Sequence, residues 1–288
     1  MNTATKGFAQ AFVAVLVALL VGWAGSQHGH SVAGMPVMLL CVLTAFLVQW
    51  IVFIHAWKNR TEKYFDLTGS LTYLTVLLLA LTLGNGEPRS MLIAALVAIW
   101  AVRLGTFLFR RVSADGHDRR FDTIKQSFST FFMTWSLQGL WVSITLACGL
   151  AALTAVETRP IGTMAVIGVL LWVAGFTIEV IADRQKSAFR AVEENKGRFI
   201  SHGLWAWSRH PNYFGEILLW LGIALVALPV LTGWQYVTLV SPVFVYLLLT
   251  QISGVGMLER RADRAWGEDP EYQAYKSRTP MLMPRPPG

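Results

Sequence analysis

Charge is scarce in this chain. Only 14% of its 288 residues are Asp, Glu, Lys or Arg, where a soluble domain carries about a quarter. Cysteine is nearly missing: Cys41 and Cys148 lie far apart, each inside an apolar run. That excludes a disulfide framework and a structural zinc site, which draws about four ligands. Both cysteines read as packing residues. No G-x-G-x-x-G follows a strand pattern, which excludes a Rossmann nucleotide site. No internal repeat and no long linker divides the sequence, and the composition excludes disorder and collagen-like fibres.

Apolar residues are abundant instead. The chain is 54% hydrophobic, with 12 Trp and 16 Phe, more apolar surface than a soluble globule of this size could hide. A helix needs about 20 apolar residues to cross a bilayer. Eight runs qualify: 8–25, 36–57, 67–84, 91–109, 128–153, 161–182, 214–231 and 234–255. They lack the period-two alternation of barrel strands. The expected fold class is therefore all-α: a polytopic integral membrane bundle of about eight spans, forming one membrane domain over 1–288. The first run could instead be a cleaved signal peptide ending near Gly22-Trp23-Ala24, which would leave seven spans. Its length and the bulky Trp23 favour retention.

The basic residues orient the bundle. With the N-terminus inside, 21 of the 24 Lys and Arg fall in the N-terminal tail, 58–66, 110–127, 183–213 and 256–288. Outside loops hold only Arg89 and Arg159, and Arg103 lies within a span. This is the positive-inside distribution. The net charge of +7 is thus a topology signal, and nucleic acid is not an expected partner. Both termini and the longest polar segments are expected at the cytoplasmic face, as in a bacterial inner membrane.

Three constellations could carry chemistry. Glu179, Asp183, Lys186 and Arg190 are spaced 4, 3 and 4, so they share one helix face. Glu179 lies inside an apolar run, where an ionisable group usually faces a cavity or a partner. The structural alternative is a helix end with an Asp183–Lys186 pair and snorkelling cations. The second constellation is Arg209-His210-Pro211-Asn212-Tyr213 with Glu216. Pro211 suits a first helical turn, and the segment gathers a cation, an amide, a phenol and a carboxylate before an apolar run. A capped helix start with interfacial aromatics would look similar. The third is the tail, where cations alternate with Tyr272 and Tyr275. That pattern suits phosphates and a stacked heterocycle, or a basic helix on anionic lipid. In the N-terminal half, Asp66 and Tyr73 are seven apart and stack on one helix face. They are the candidate substrate-end residues, with Asp66 as a helix cap and Tyr73 as packing the alternative. Gln49, His55 and Gln138 are further polar groups at bilayer depth. His28, His30 and Met35 sit in a short outside loop without carboxylates, so no metal site is expected.

The segment Ser208-Arg209-His210-Pro211-Asn212-Tyr213-Phe214-Gly215-Glu216 resembles the steroid 5-alpha-reductase-like family of membrane proteins, most closely its bacterial DUF1295 branch. The resemblance extends to Glu179 through Lys186, Asn195-Lys196-Gly197, Gly203-Leu204-Trp205, Ser253-Gly254 and Tyr275 to Pro280. It covers 165–284, and Trp100 to Gly105 and Asp118-Arg119-Arg120-Phe121 are similar as well. It implies a helical reductase holding NADPH at its cytoplasmic mouth, with a lipid-like unsaturated substrate entering from the bilayer. Asp183, Arg190, Asn212 and Glu216 match cofactor-contacting positions. Arg209 and Tyr275 are further contacts, and Glu179, Lys186, His210 and Tyr213 complete that surface. Glu179 stands where the animal enzymes have Asn. Tyr73 and Asp66 are the expected catalytic pair: hydride delivery to a conjugated bond builds charge on the conjugated oxygen, and a proton donor must meet it. Isoprenylcysteine carboxyl methyltransferases share the Arg-His-Pro tripeptide, so an S-adenosylmethionine-dependent methyltransferase is the first alternative. A non-enzymatic lipid-binding protein is the second.

The charge distribution makes one expectation testable. Single cysteines placed near His28 and Arg89 should react with an impermeant thiol reagent from outside. One near Lys196 should react only after permeabilisation; the reverse pattern would invert the topology.

Overall fold

A computed structural model describes residues 3–118, 120–252 and 254–287. Arg119 and Ser253, both used in the sequence comparison above, lie outside the described residues. The chain is an all-α integral membrane protein. Seven helices are long and apolar enough to span a bilayer, or eight if a bent pair counts as one span. The described residues fall into two compact units: Met1–Met164 with Val226–Ser241, and Ala165–Leu225 with Pro242–Gly288.

The first unit contains α1 (Thr3–Gly25), α2 (Val37–Lys58), α3 (Phe65–Leu83), α4 (Pro88–Asp115), the short α5 (Phe121–Ile124), α6 (Phe128–Thr145) and α7 (Ala147–Thr154). A two-residue hairpin, β1 (Ser31–Val32) with β2 (Met35–Pro36), links α1 to α2. In packing order α1 lies on α6, α6 on α2, α2 on α3 and α3 on α4. Aromatic edges fill the inner end: Phe53, Phe131 and Trp135 form a buried cluster with Phe121, and Phe65 meets Trp135 edge-on at 5.2 Å. Such pairs add to the area they bury.

The run 128–153 is not one straight helix. It bends by 57° between Thr145 and Ala147. No proline is present there; hydroxyls enter the helical ladder instead, a recognised cause of bending. Thr145 Oγ1 donates to the Trp141 carbonyl at 2.8 Å, and the Ser241 hydroxyl takes the Thr145 carbonyl.

Arg89, one of the two cations expected on the outer side, is buried at 4% exposure. Its guanidinium donates to the carbonyls of Arg159 at 3.3 Å, Val226 at 2.6 Å and Pro160 at 2.5 Å. Val226 stands in the last turn of a helix, where carbonyls lack ladder donors and attract a cation.

At the opposite end, the turn before α3 holds Glu62, which accepts from Lys125 Nζ at 2.7 Å and from the Asp118 amide at 3.0 Å. Burial pushes its carboxyl up, but these donors outweigh that and hold it below its usual value.

The second unit contains α8 (Thr163–Ala191), α9 (Pro211–Ala227), α10 (Val240–Leu247), α11 (Val255–Trp266) and α12 (Pro270–Arg278). Here each helix is described from Ala165 onward, up to Leu225 and after Ser241. Pro211 occupies the first turn of α9, as its fixed φ and missing N–H favour. The run 234–255 falls within the candidate span Gly233–Trp266, and its helix type changes along the way: a 3₁₀ segment Gly233–Leu239, α10, and a π-turn at Leu248–Ile252 precede α11. Thr250 Oγ1 donates back to the Tyr246 carbonyl at 2.6 Å within that π-turn.

α8 and α9 touch along a glycine seam. A β-carbon on Gly215 would lie 2.5 Å from the Gly175 carbonyl oxygen, and one on Gly222 2.5 Å from the Gly168 carbonyl oxygen. Both pairs are seven residues apart, so each helix presents one bare stripe. Lipid tails are as apolar as leucine, so close backbone approach must supply the association energy. Gly215→Leu should therefore cost about 1–3 kcal/mol through overpacking, read as a fall in melting temperature in detergent. Gly86→Leu is the control, since nothing lies within 4 Å of its missing side chain; equal losses at both positions would remove the seam from the account.

Candidate functional site

The seam sets the geometry of the polar residues on α8 and α9. A β-carbon at Gly215 would also meet the Glu179 amide nitrogen at 2.8 Å, so the backbones are nearly in contact at this level. One turn further toward the end of α8, Asn212 Nδ2 donates to Asp183 Oδ1 at 3.2 Å. Glu179, Asp183 and Glu216 are all buried, at 2%, 7% and 9% exposure. Three carboxyl-bearing side chains and one amide thus gather on two helices. Lys186 lies over the Trp205 ring at 4.4 Å, and Arg190 is exposed at the end of α8.

The segment between α8 and α9 is tied to this surface by side chains that motif reading alone leaves out. Gln185 Oε1 accepts the Leu204 amide at 2.9 Å, beside Gly203 at φ 63°, a conformation that favours glycine. Trp205 Nε1 donates to the Ala182 carbonyl at 3.0 Å. Tyr275 donates its O–H to the Trp205 carbonyl at 2.7 Å, and burial pushes its phenol well above the usual range. Tyr275 is thus placed as a brace between α12 and the Gly203–Ala206 turn.

Arg209 and His210 face the tail. Arg209 meets Glu259 at 2.8 Å from Nη2 and 3.2 Å from Nε. Its Nη1 donates to the carbonyls of Lys276 at 2.8 Å and Thr279 at 3.0 Å. His210 Nε2 lies 2.7 Å from the same Glu259, and its ring stacks on Tyr213 at 5.8 Å. The Arg209 amide donates to the Pro280 carbonyl at 2.9 Å, and the Arg285 amide to the Trp207 carbonyl at 3.0 Å. Ser208 Oγ donates to the Leu282 carbonyl at 2.9 Å. The tail is clasped strand-like over residues 207–209. Glu259 is the acceptor that sequence spacing did not reveal, because it lies 50 residues from Arg209.

Beside the clasp lies an apolar cleft of about 310 Å³, lined by Ile178, Leu204, Trp207, Pro211, Phe214, Met283 and Pro284. The buried carboxylates occupy one face of the α8–α9 pair; Ile178 and Phe214, on neighbouring positions, open onto the cleft.

The first unit holds the other candidates. Asp66 is in the first turn of α3, but the N-cap is Tyr64, without a side-chain cap bond. The Asp66 carboxylate instead faces Arg120 Nη2 at 3.8 Å. Tyr73 is 1% exposed, its ring edge-on to Trp100 at 5.2 Å and Trp141 at 5.8 Å. Its hydroxyl bonds Thr145 Oγ1. Thr145 gives its own proton to the Trp141 carbonyl at 2.8 Å, so Tyr73 is the donor of that pair. His55 bonds Asn59 at the end of α2 at 3.2 Å. Among the described residues, no group of three or more His, Cys, Asp or Glu is placed to hold a metal ion.

The clasp yields a stability test. Arg209→Ala should lower the melting temperature, costing about 1–3 kcal/mol for the charge-assisted bonds and the carbonyls left behind. It should also expose the chain after Tyr275 to protease. Arg209→Lys should rescue little, since a single ammonium cannot reproduce the two-sided fork. Wild-type stability in Arg209→Ala would mean that the tail is held elsewhere.

Comparison with known proteins follows from this geometry. The chain is 22% identical to the uncharacterized protein C594.04c of Schizosaccharomyces pombe, over 81% of this chain and 75% of that relative. No solved structure matches. A family model described as "Protein of unknown function (DUF1295)" matches residues 50–279, a stretch that includes α2 from Trp50, the whole α8–α9 seam and the Arg209–Glu259 pair. The chain belongs to the DUF1295 family, the steroid 5-alpha-reductase-like membrane proteins.

Proposed function

We propose that the protein is a membrane-embedded reductase that uses NADPH to reduce a conjugated carbon–carbon double bond in a steroid-like or other lipid drawn from the bilayer. The observation that carries this reading is the Asp183–Asn212 pair, joined at 3.2 Å across two glycine-packed helices with Glu179 and Glu216 buried beside it. Carboxylates and an amide suit the hydroxyls and amides of a nucleotide. A rigid helical seam gives the preorganisation that a binding site needs. Lys186, Arg190 and the exposed Arg184 lie on the last turns of α8, where phosphates would need cations, and the inside-positive charge pattern supports a cytoplasmic orientation of that end, as in a bacterial inner membrane.

When bound, the nucleotide supplies hydride to the double bond; a proton must then reach the adjacent carbon or the conjugated oxygen. Tyr73 is the proposed donor, with Asp66 nearer the mouth of the first unit. Tyr73 now spends its O–H on Thr145, so donation requires that bond to exchange for one to substrate. Asp66, held 3.8 Å from Arg120, would restore the proton from the aqueous side.

One observation favours a second reading. Arg209 is committed to Glu259 and two carbonyls, which removes a phosphate-binding cation from the expected set. A ligand with less negative charge, S-adenosylmethionine, would then fit the acidic face, and the protein would be a lipid methyltransferase. Thermal unfolding of the detergent-purified protein separates the two. A ligand at 100 times its dissociation constant adds about 2.7 kcal/mol. NADPH should stabilise the wild type, and Asn212→Ala should weaken its binding by about 1–3 kcal/mol. Stabilisation by S-adenosylmethionine and not by NADPH would establish the methyltransferase reading instead. No response to either would set aside both.

A further inference from the structure

We infer that the first unit contains a binding site for a neutral hydroxyl group, built by Gln49 on α2, Gln138 and Trp135 on α6, and the Phe65–Thr72 stripe of α3. This inference does not rest on the reductase reading.

Within the first unit, three buried polar side-chain atoms of the described residues lack partners: Gln49 Oε1, Gln138 Oε1 and Trp135 Nε1. All three residues are buried, at 0%, 4% and 0% exposure. They lie within membrane-spanning helices, where lipid offers no substitute bond for an unmet polar group.

The orphaned oxygens are not a matter of which way each amide is turned. Gln49 faces Thr72 Oγ1 at 2.8 Å. The Thr72 hydroxyl proton is already given to the Thr68 carbonyl at 2.7 Å, so Thr72 can only accept, and Gln49 must present its NH₂. Gln138 faces the Phe65 carbonyl at 2.9 Å, which can only accept, so Gln138 must present its NH₂ as well. In each case the neighbouring acceptor fixes the amide and leaves the carbonyl oxygen without a donor.

The three groups converge on one stripe of α3. Phe65, Gly69 and Thr72 lie four and three residues apart, on one helix face. The Gln138 amide sits against Gly69, where a β-carbon would clash with it. Gln49 meets Thr72, about 4.5 Å further along the axis at about 1.5 Å per residue. Trp135 is one turn before Gln138 and packs edge-on against Phe65 at 5.2 Å. α2 closes on α6 here as well: Trp50 Nε1 donates to Ser136 Oγ at 3.1 Å.

The unmet capacity, two acceptors and one donor, identifies the ligand chemistry. A metal cation or ammonium could satisfy the two oxygens but would oppose the indole N–H. It would also place an uncompensated charge at bilayer depth, which is costly. A carboxylate or phosphate would meet the oxygens with repulsion. A hydroxyl oxygen can both donate to an amide oxygen and accept from the indole. Either a lipid alcohol or a water molecule has this chemistry.

The test uses the full chain in detergent. Melting temperature is measured with dodecan-1-ol and with dodecane, for the wild type and for Gln138→Met, Gln49→Met and Trp135→Phe. Met keeps length and removes the oxygen; Phe keeps a ring and removes the N–H. A shift of a few degrees with the alcohol and not the alkane, lost in the variants, identifies a lipid alcohol as the ligand. If the alcohol does nothing, an experimental density map of the unmodified chain decides. A compact peak within hydrogen-bond distance of Gln49 Oε1 or Gln138 Oε1 identifies water. No alcohol-specific shift and no such peak would overturn the inference, even if the variants fail to fold.

Discussion

Contact between two helix backbones fixes much of what the second unit can do. At Gly175–Gly215 and Gly168–Gly222 there is no room for a side chain. The helices therefore meet at one register, and that register decides which polar residues face each other. Asp183 reaches Asn212 because the seam one turn away leaves no alternative spacing. Glu179 is buried for the same reason: its own backbone lies against Gly215. In water, a hydrophobic interface could have tolerated looser packing around these acids. In a bilayer the small residues supply the association, so seam and polar cluster are one construction.

The same logic explains the charges that depart from the simple orientation rule. Arg89 falls in a segment where cations are few, yet it does not face solvent. It closes carbonyls from two places in the chain, the adjacent loop residues Arg159 and Pro160 and the helix-end Val226. A cation surrounded by carbonyl dipoles substitutes for the donors those groups lack. Arg209 plays the same part in the second unit: its guanidinium spans a carboxylate and two carbonyls, so that a short helix and an irregular tail become one surface.

Much of this fold was legible in the sequence because bilayer spans depend on composition over about 20 residues. The spans at α2, α3, α4 and α8 follow the apolar runs closely. What was not legible is where a run breaks. The bend at Thr145–Ala147 depends on hydroxyls, one of them from Ser241, 96 residues away, and no local pattern encodes that. At the candidate site, the face shared by Glu179 and Asp183 could be read from a spacing of four; the bond between Asp183 and Asn212 could not, because it joins two helices. Glu259 could not be found this way. Its partners Arg209 and His210 are brought to it by tertiary packing alone, and an Arg-His-Pro segment carries the same letters whether it binds a ligand or a tail.

That ambiguity bears on how the site should be understood chemically. A census of cations around α8 and α9 counts Arg209 as available to a polyanion, and the observed bonds subtract it. The remaining cations on α8 lie toward its end, whereas the buried acids lie deeper along the same helix. A ligand spanning that gradient would place its most anionic part at the α8 terminus and its hydroxylated, uncharged part beside Asp183 and Asn212. A dinucleotide has this polarity along its length. The apolar cleft beside Ile178 and Phe214 continues the gradient to its nonpolar limit, where a flat, weakly polar ring is better accommodated than a phosphate.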